Sequence, residues 1–98
     1  MELNLNSIYL SVTILPHLEV VKEKLRSEIP LIKDMVETGS AFYFLHLEDQ
    51  DKYSRIYSNK DLVSMLNDHV KAMFGPKTRI NPYYRTKDTH FVYCLEWD

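Results

Sequence analysis

Four histidines and one cysteine are the side chains of this chain best suited to metal binding or nucleophilic chemistry, and their spacing supports neither. His17, His46, His69 and His90 fall in separate segments, with no HxH, HExxH or His-x-x-Glu pair to set two ligands on one face. His90 and Cys94 share one row of an extended segment, but a Cys–His nucleophile needs a third group to orient it, and the sequence identifies none. Cys94 therefore reads as a small core hydrophobe, and a single cysteine leaves no intramolecular disulfide or cysteine-rich zinc site. Glu48, Asp49 and Asp51 cluster in a turn without the spacing or glycine of a calcium loop, so they read as a polar hairpin tip. The two glycines, Gly39 and Gly75, both stand at expected helix ends, which leaves none for a phosphate cradle or a nucleophile elbow. The expectation is a protein that is not an enzyme and uses no metal or cofactor.

Aromatic and basic side chains recur instead. The segment Lys71–Lys87 carries Lys71, Lys77, Arg79, Arg85 and Lys87 with no acid, and Phe74, Tyr83 and Tyr84 are interleaved with them. Tyr53, Arg55 and Tyr57 form a second group. The candidate binding set is Tyr53, Arg55, Tyr57, Lys77, Arg79, Tyr83, Tyr84, Arg85 and Lys87. Tyrosine and arginine are the usual anchors of protein interfaces. The same types stack bases and hold phosphates on single-stranded nucleic acid. A solvated basic face with its rings in the core is the third reading. A net charge of −2 and a pI near 6.1 weigh against a generic nucleic-acid binder, so a protein partner leads and nucleic acid is the alternative.

Those side chains must be positioned by a single domain, since the chain has 98 residues. In Ser7–Leu15 the row Ile8, Leu10, Val12, Ile14 alternates with Ser7, Tyr9, Ser11, Thr13, which predicts a half-buried first strand. Leu18, Val21, Leu25, Ile29, Ile32 and Val36 then recur at three- and four-residue steps, a helical stripe that ends at Gly39. Pro30 inside it predicts a kink, with two short helices and a Ser27 cap as the other solution. Ala41–Glu48 and Tyr53–Tyr57 read as strands around the acidic turn. Ser58 and Asp61 mark the start of a second helix, whose stripe is Leu62, Leu66, Val70 and Met73 and which Gly75-Pro76 stops. Arg79–Lys87 and Thr89–Trp97 read as a closing hairpin.

The resulting order, β-α-β-β-α-β plus a C-terminal strand, predicts an α+β two-layer ferredoxin-like sandwich with both helices on one face of a mainly antiparallel sheet. The other face is left open, with Tyr43, Tyr53, Tyr57 and either Phe91/Tyr93 or Val92/Cys94 expected on outer rows. In length and order this resembles the acylphosphatases. Their phosphate cradle needs glycines and an arginine after the first strand, where this chain has Val12-Thr13-Ile14-Leu15-Pro16-His17, so that activity is not expected. Tyr9 in Ile8-Tyr9-Leu10 and Tyr53 and Tyr57 in Lys52-Tyr53-Ser54-Arg55-Ile56-Tyr57 resemble the aromatics of RNA-recognition motifs, which implies base stacking. The glycines of that family are missing from both segments.

No stretch reaches the ~18 apolar residues of a membrane span, so no membrane partner is expected. The opening Met-Glu-Leu-Asn-Leu-Asn lacks the cationic start and apolar run of a signal peptide, which makes the cytoplasm the expected compartment. The function expected is a non-catalytic protein-binding module, a small inhibitor or adaptor of anti-defence or immunity type that occupies a partner's surface. A homodimer through the apolar strand Thr89–Trp97 is the further expectation.

Overall fold

The N-terminal segment is helical rather than extended. The structure, a computed structural model, describes residues 5–84 and 91–98, and it opens with α1 (Leu5–Tyr9), a π turn (Leu10–Ile14) and α2 (Leu15–Ser27). Strict alternation over Ser7–Leu15 also places apolar residues at i and i+4, and Leu10, Ile14 and Leu18 continue those four-residue steps into Val21 and Leu25. Pro16 has no N–H to give to the residue four before it. The π turn, in which the Leu15 N–H reaches the Leu10 carbonyl, accommodates this one step upstream. The helix buries Ile14, Leu18, Val21 and Leu25 but leaves Leu5, Ile8 and Val12 exposed.

The chain breaks at Glu28 and resumes as α3 (Ile29–Glu37), with Pro30 in its first turn. Proline there forfeits only a donor that has no helical partner. The break is thus two helices and not a kink, and Ser27 bonds back to the Lys24 carbonyl instead of capping α3. Gly39, at φ 88°, ends this unit. Residues 53–57 are likewise not a strand: α4 (Ser54–Tyr57) is a single helical turn after Tyr53. α5 (Lys60–Phe74) is capped by Asn59, whose side-chain oxygen accepts from the N–H groups of Asp61 and Leu62, not by Ser58. Gly75, at φ 112°, closes it.

Strands β1 (Phe42–Leu45), β2 (Arg79–Tyr84) and β3 (Phe91–Glu96) form an antiparallel sheet in the order β1-β3-β2. Tyr43 stands opposite Leu95, which stands opposite Ile80; Phe44 stands opposite Cys94, which stands opposite Asn81. The inner row, Leu45, Ile80, Phe91, Tyr93 and Leu95, packs in one core with Leu18, Val21, Leu25, Ile32, Leu62, Leu66 and Val70 of the helices. The domain is a small α+β fold with a three-stranded antiparallel sheet, and the β-α-β-β-α-β order is absent because two of its strands are helical. β3, expected to offer itself to a second copy, is the central strand and is paired on both sides.

Candidate functional site

The sheet face turned away from the helices carries the outer row of each strand: Phe42 and Phe44 from β1, Val92, Cys94 and Glu96 from β3, Arg79, Asn81 and Tyr83 from β2. The Phe42 and Phe44 rings lie 5.2 Å apart, and Phe44 reaches Tyr83 at 5.6 Å across the central strand. Phe42 and Tyr83 are 48% and 49% exposed, while Val92 and Cys94 between them are buried. Rings from both outer strands thus flank an apolar floor. A concavity of about 360 Å³ lies beside them, bounded by Phe42, Phe44, Arg79, Tyr83, Glu96 and Trp97.

The rim is electrically closed on itself. Arg79 donates from Nε to Glu96 at 2.9 Å and lies 3.5 Å from Asp98. The Cys94 thiol donates to Glu96 at 3.6 Å, and burial, reinforced by that carboxylate, pushes its pKa up to about 11. It is a protonated thiol at neutral pH and not a nucleophile. Cys94 therefore belongs to the floor of the open face and not to the core between sheet and helices.

The residues proposed from sequence are scattered. Tyr83 and Arg79 stand on the open face. Tyr84 points the other way, edge-on to Phe91 at 5.5 Å, and is 52% exposed. Tyr57 is buried in the core; its hydroxyl donates to Asp49 at 2.8 Å, and the Tyr93 hydroxyl donates to the Tyr57 carbonyl. Burial raises both phenols well above their ordinary range, so they act as neutral donors. Tyr53 is half-buried against His17, ring centres 5.0 Å apart, with the Lys52 ammonium 5.2 Å above it. Tyr43, expected outside, is on the inner row, where its hydroxyl donates to Glu28 at 2.6 Å. Tyr9 is the last residue of α1 and is exposed. Arg55 in α4 and Lys77, two residues before β2, are exposed and belong to neither strand that carries the rings. Arg85, Lys87 and His90 lie outside the described residues. The aromatic stacking set of Tyr9, Tyr53 and Tyr57 does not exist as a surface.

Phe42 and Phe44 are the residues that sequence reasoning did not select, and of the two alternatives for β3 it is Val92/Cys94 that faces outward. In Phe42-Tyr43-Phe44-Leu45 both rows are apolar, so alternation alone does not say which row faces the helices. A second cleft, of about 440 Å³, opens between α3, the end of α5 and Trp97. Its walls include core residues Ile32 and Leu95, and the Trp97 indole N–H already donates to the Ser40 carbonyl. Among the described residues no three His, Cys, Asp or Glu side chains gather to hold a metal, and no helix is long and apolar enough to cross a membrane. Comparison with protein-family models, curated proteins and solved structures finds no match to this chain.

Proposed function

We propose that this chain is a non-catalytic protein-binding module that acts by occupying a partner's surface with its open sheet face. The observation that carries this reading is the row of Phe42, Phe44 and Tyr83 spread over a buried floor of Val92 and Cys94. Exposed rings around an apolar centre are the usual composition of an interface core, with polar groups at the edge. Arg79, Glu96 and Asp98 supply such an edge. The same edge argues against phosphate binding, because Arg79, the one arginine on this face among the described residues, is already engaged by two carboxylates. A steric inhibitor or adaptor needs no more than this surface.

The test is capture of partners from a native lysate by the wild-type chain and by a Phe44→Ala/Tyr83→Ala variant, read by mass spectrometry. Both rings are at least partly exposed, so the fold survives their removal. A protein retained by the wild type and lost by roughly 30-fold in the variant, the effect of losing about 2 kcal/mol of anchor, supports the face. The same protein should stay bound to a Tyr53→Ala/Tyr84→Ala variant. An unchanged set of retained proteins overturns the reading. Tight binding of mixed oligonucleotides that falls steeply with salt points instead to nucleic acid.

A further inference from the structure

Backbone groups along a strand point alternately to its two neighbours, and this divides the edges of the sheet sharply. The Trp97 N–H donates to the Ala41 carbonyl, so Ala41, Tyr43 and Leu45 face β3, and the N–H and C=O groups of Phe42 and Phe44 face outward. The same alternation turns Ile80 and Pro82 of β2 outward. On β2 the positions from Thr78 to Pro82 are guarded. Asn67 of α5 accepts from the Ile80 N–H at 3.0 Å and donates to its carbonyl at 2.9 Å; Lys71 donates to the Thr78 carbonyl at 3.1 Å; Pro82 has no N–H. On β1 the outward groups of Phe42 and Phe44 have no partner among the described residues, and Ala41–Leu45 contains no charge and no proline. Natural sheets blunt their edges with charges and prolines, and an edge that lacks them pairs with another strand.

We infer that β1 pairs edge to edge with β1 of a second copy of this chain, antiparallel across a two-fold axis, joining two three-stranded sheets into one. An uncharged segment meets its own copy without repulsion. Every pairing register that sets these outward groups opposite one another brings Phe42 or Phe44 against a phenylalanine of the partner's β1, on one common face. With β1 open and β2 guarded from Thr78 to Pro82, the assembly closes at two copies. A four-residue strand is only about 13 Å long, so the area is at the low end for an interface and the dimer forms with rising concentration. This uses the strand edge of the face in the proposed function, and Tyr83, which lies on that face but not on the β1 edge, lets the two fail separately.

The experiment is sedimentation velocity of the full chain from about 5 to 500 μM, beside amide exchange of the wild type at both ends of that range. The expected result is a shift from one chain to two, with exchange at the Phe44 amide slowing at least tenfold as concentration rises. Phe44→Pro removes an outward donor that the sheet does not use, at an edge where proline is tolerated, and should weaken the dimer at least tenfold. Phe42→Pro repeats the test if the first variant loses its far-UV circular dichroism. Tyr83→Ala should leave the dimer intact while losing partner capture. A monomer throughout, a dimer indifferent to both prolines, species larger than two chains, or a Phe44 amide indifferent to concentration each overturns the inference.

Discussion

The two edges of the sheet present the same backbone chemistry and treat it oppositely. β2 is longer, with six residues against four, and would be the stronger template for an added strand. It is also the edge with the guards: Asn67 and Lys71 project one helical turn apart from α5 and engage the carbonyls at Ile80 and Thr78. β1 is left bare, and its two outward residues also carry the rings of the open face. The lesson is that an edge is closed by whatever element packs beside it. α5 lies along β2, whereas β1 follows directly from the short turn after α3. Function is expected where the guards are missing.

The largest effect that would break this comparison is in amide exchange at low concentration, where the chain is monomeric. The Ile80 amide, held by Asn67 in a fully buried residue, should open only with the fold as a whole. The Phe44 amide should exchange almost as a free peptide. With a global stability of at least about 4 kcal/mol, the difference is roughly a thousandfold. Equal protection at the two sites would mean that the edges are not different.

Next in size is the removal of the guard itself. Asn67→Ala leaves the N–H and C=O of Ile80 without partners in a buried position, at a cost of roughly 2–4 kcal/mol. For a chain of this size that lowers Tm by roughly 10–25 °C. It also opens the second edge, so concentrated variant should form species larger than a dimer. Thermal unfolding and light scattering on one sample read both, and a variant as stable as the wild type would show that Asn67 does not hold this edge.

A smaller effect tests what anchors β1 from its inner side. Tyr43→Phe removes the hydroxyl that donates to Glu28 at the junction of α2 and α3, worth about 1 kcal/mol at a half-buried site. Desolvation first, then the bond to Glu28 and its charge, push the Tyr43 pKa up to about 12, against about 10 when unfolded. The folded state therefore favours the neutral phenol. Its contribution is complete below pH 10 and is lost as pH rises from 10 through 12. Tyr57 and Tyr93 are raised as well, so the quantity to measure is the wild type minus Tyr43→Phe, which should shrink over that interval. A difference constant with pH would separate Tyr43 from Glu28.

The sequence made the helical stripes legible. Leu18, Val21, Leu25 and Ile32, and then Leu62, Leu66 and Val70, are buried as the three- and four-residue spacing requires. β1, β2 and β3 fall inside the segments read as extended, with the glycine stops in place. Ser7–Leu15 misled because alternation and a four-residue step coincide over so short a run. The arbiter was Leu18, four residues past Ile14 and across a proline that a π turn absorbs. Tyr53 and Tyr57 misled because a tyrosine can be buried when its hydroxyl finds Asp49, a partner eight residues away that no local pattern reveals. Rings on the open face were foreseen as a kind; of the residues expected on its outer rows only the Val92/Cys94 alternative stands there, joined from the binding set by Tyr83 and Arg79. The guards on β2 were not legible at all, since Asn67 reads locally as one more polar residue on a helix surface.

The last and smallest effect links the β2 guard to acid. α5 carries Asn67 toward the sheet and, two residues on, His69 toward α2. Desolvation lowers the His69 pKa below 6.5, and the nearby Lys22 and Arg26 lower it further, with Glu19 opposing them. Lys22 and Arg26 are themselves drawn to Glu19 and Glu23, which keeps their influence on His69 modest. The folded state thus prefers the neutral ring, and the unfolded chain binds the proton more readily. Stability should fall as pH drops below 6.5 and level off once the folded pKa is passed. Because the proton is taken up where α5 meets α2, the protection of the Ile80 amide relative to a free peptide should fall with acid, while that of Phe44, with no helix holding it, stays the same. His69→Gln should flatten the acid slope without disturbing the neutral-pH protection of Ile80. An unchanged slope in that variant would assign the acid sensitivity to the carboxylates instead, and α5 would then guard β2 independently of its contact with α2.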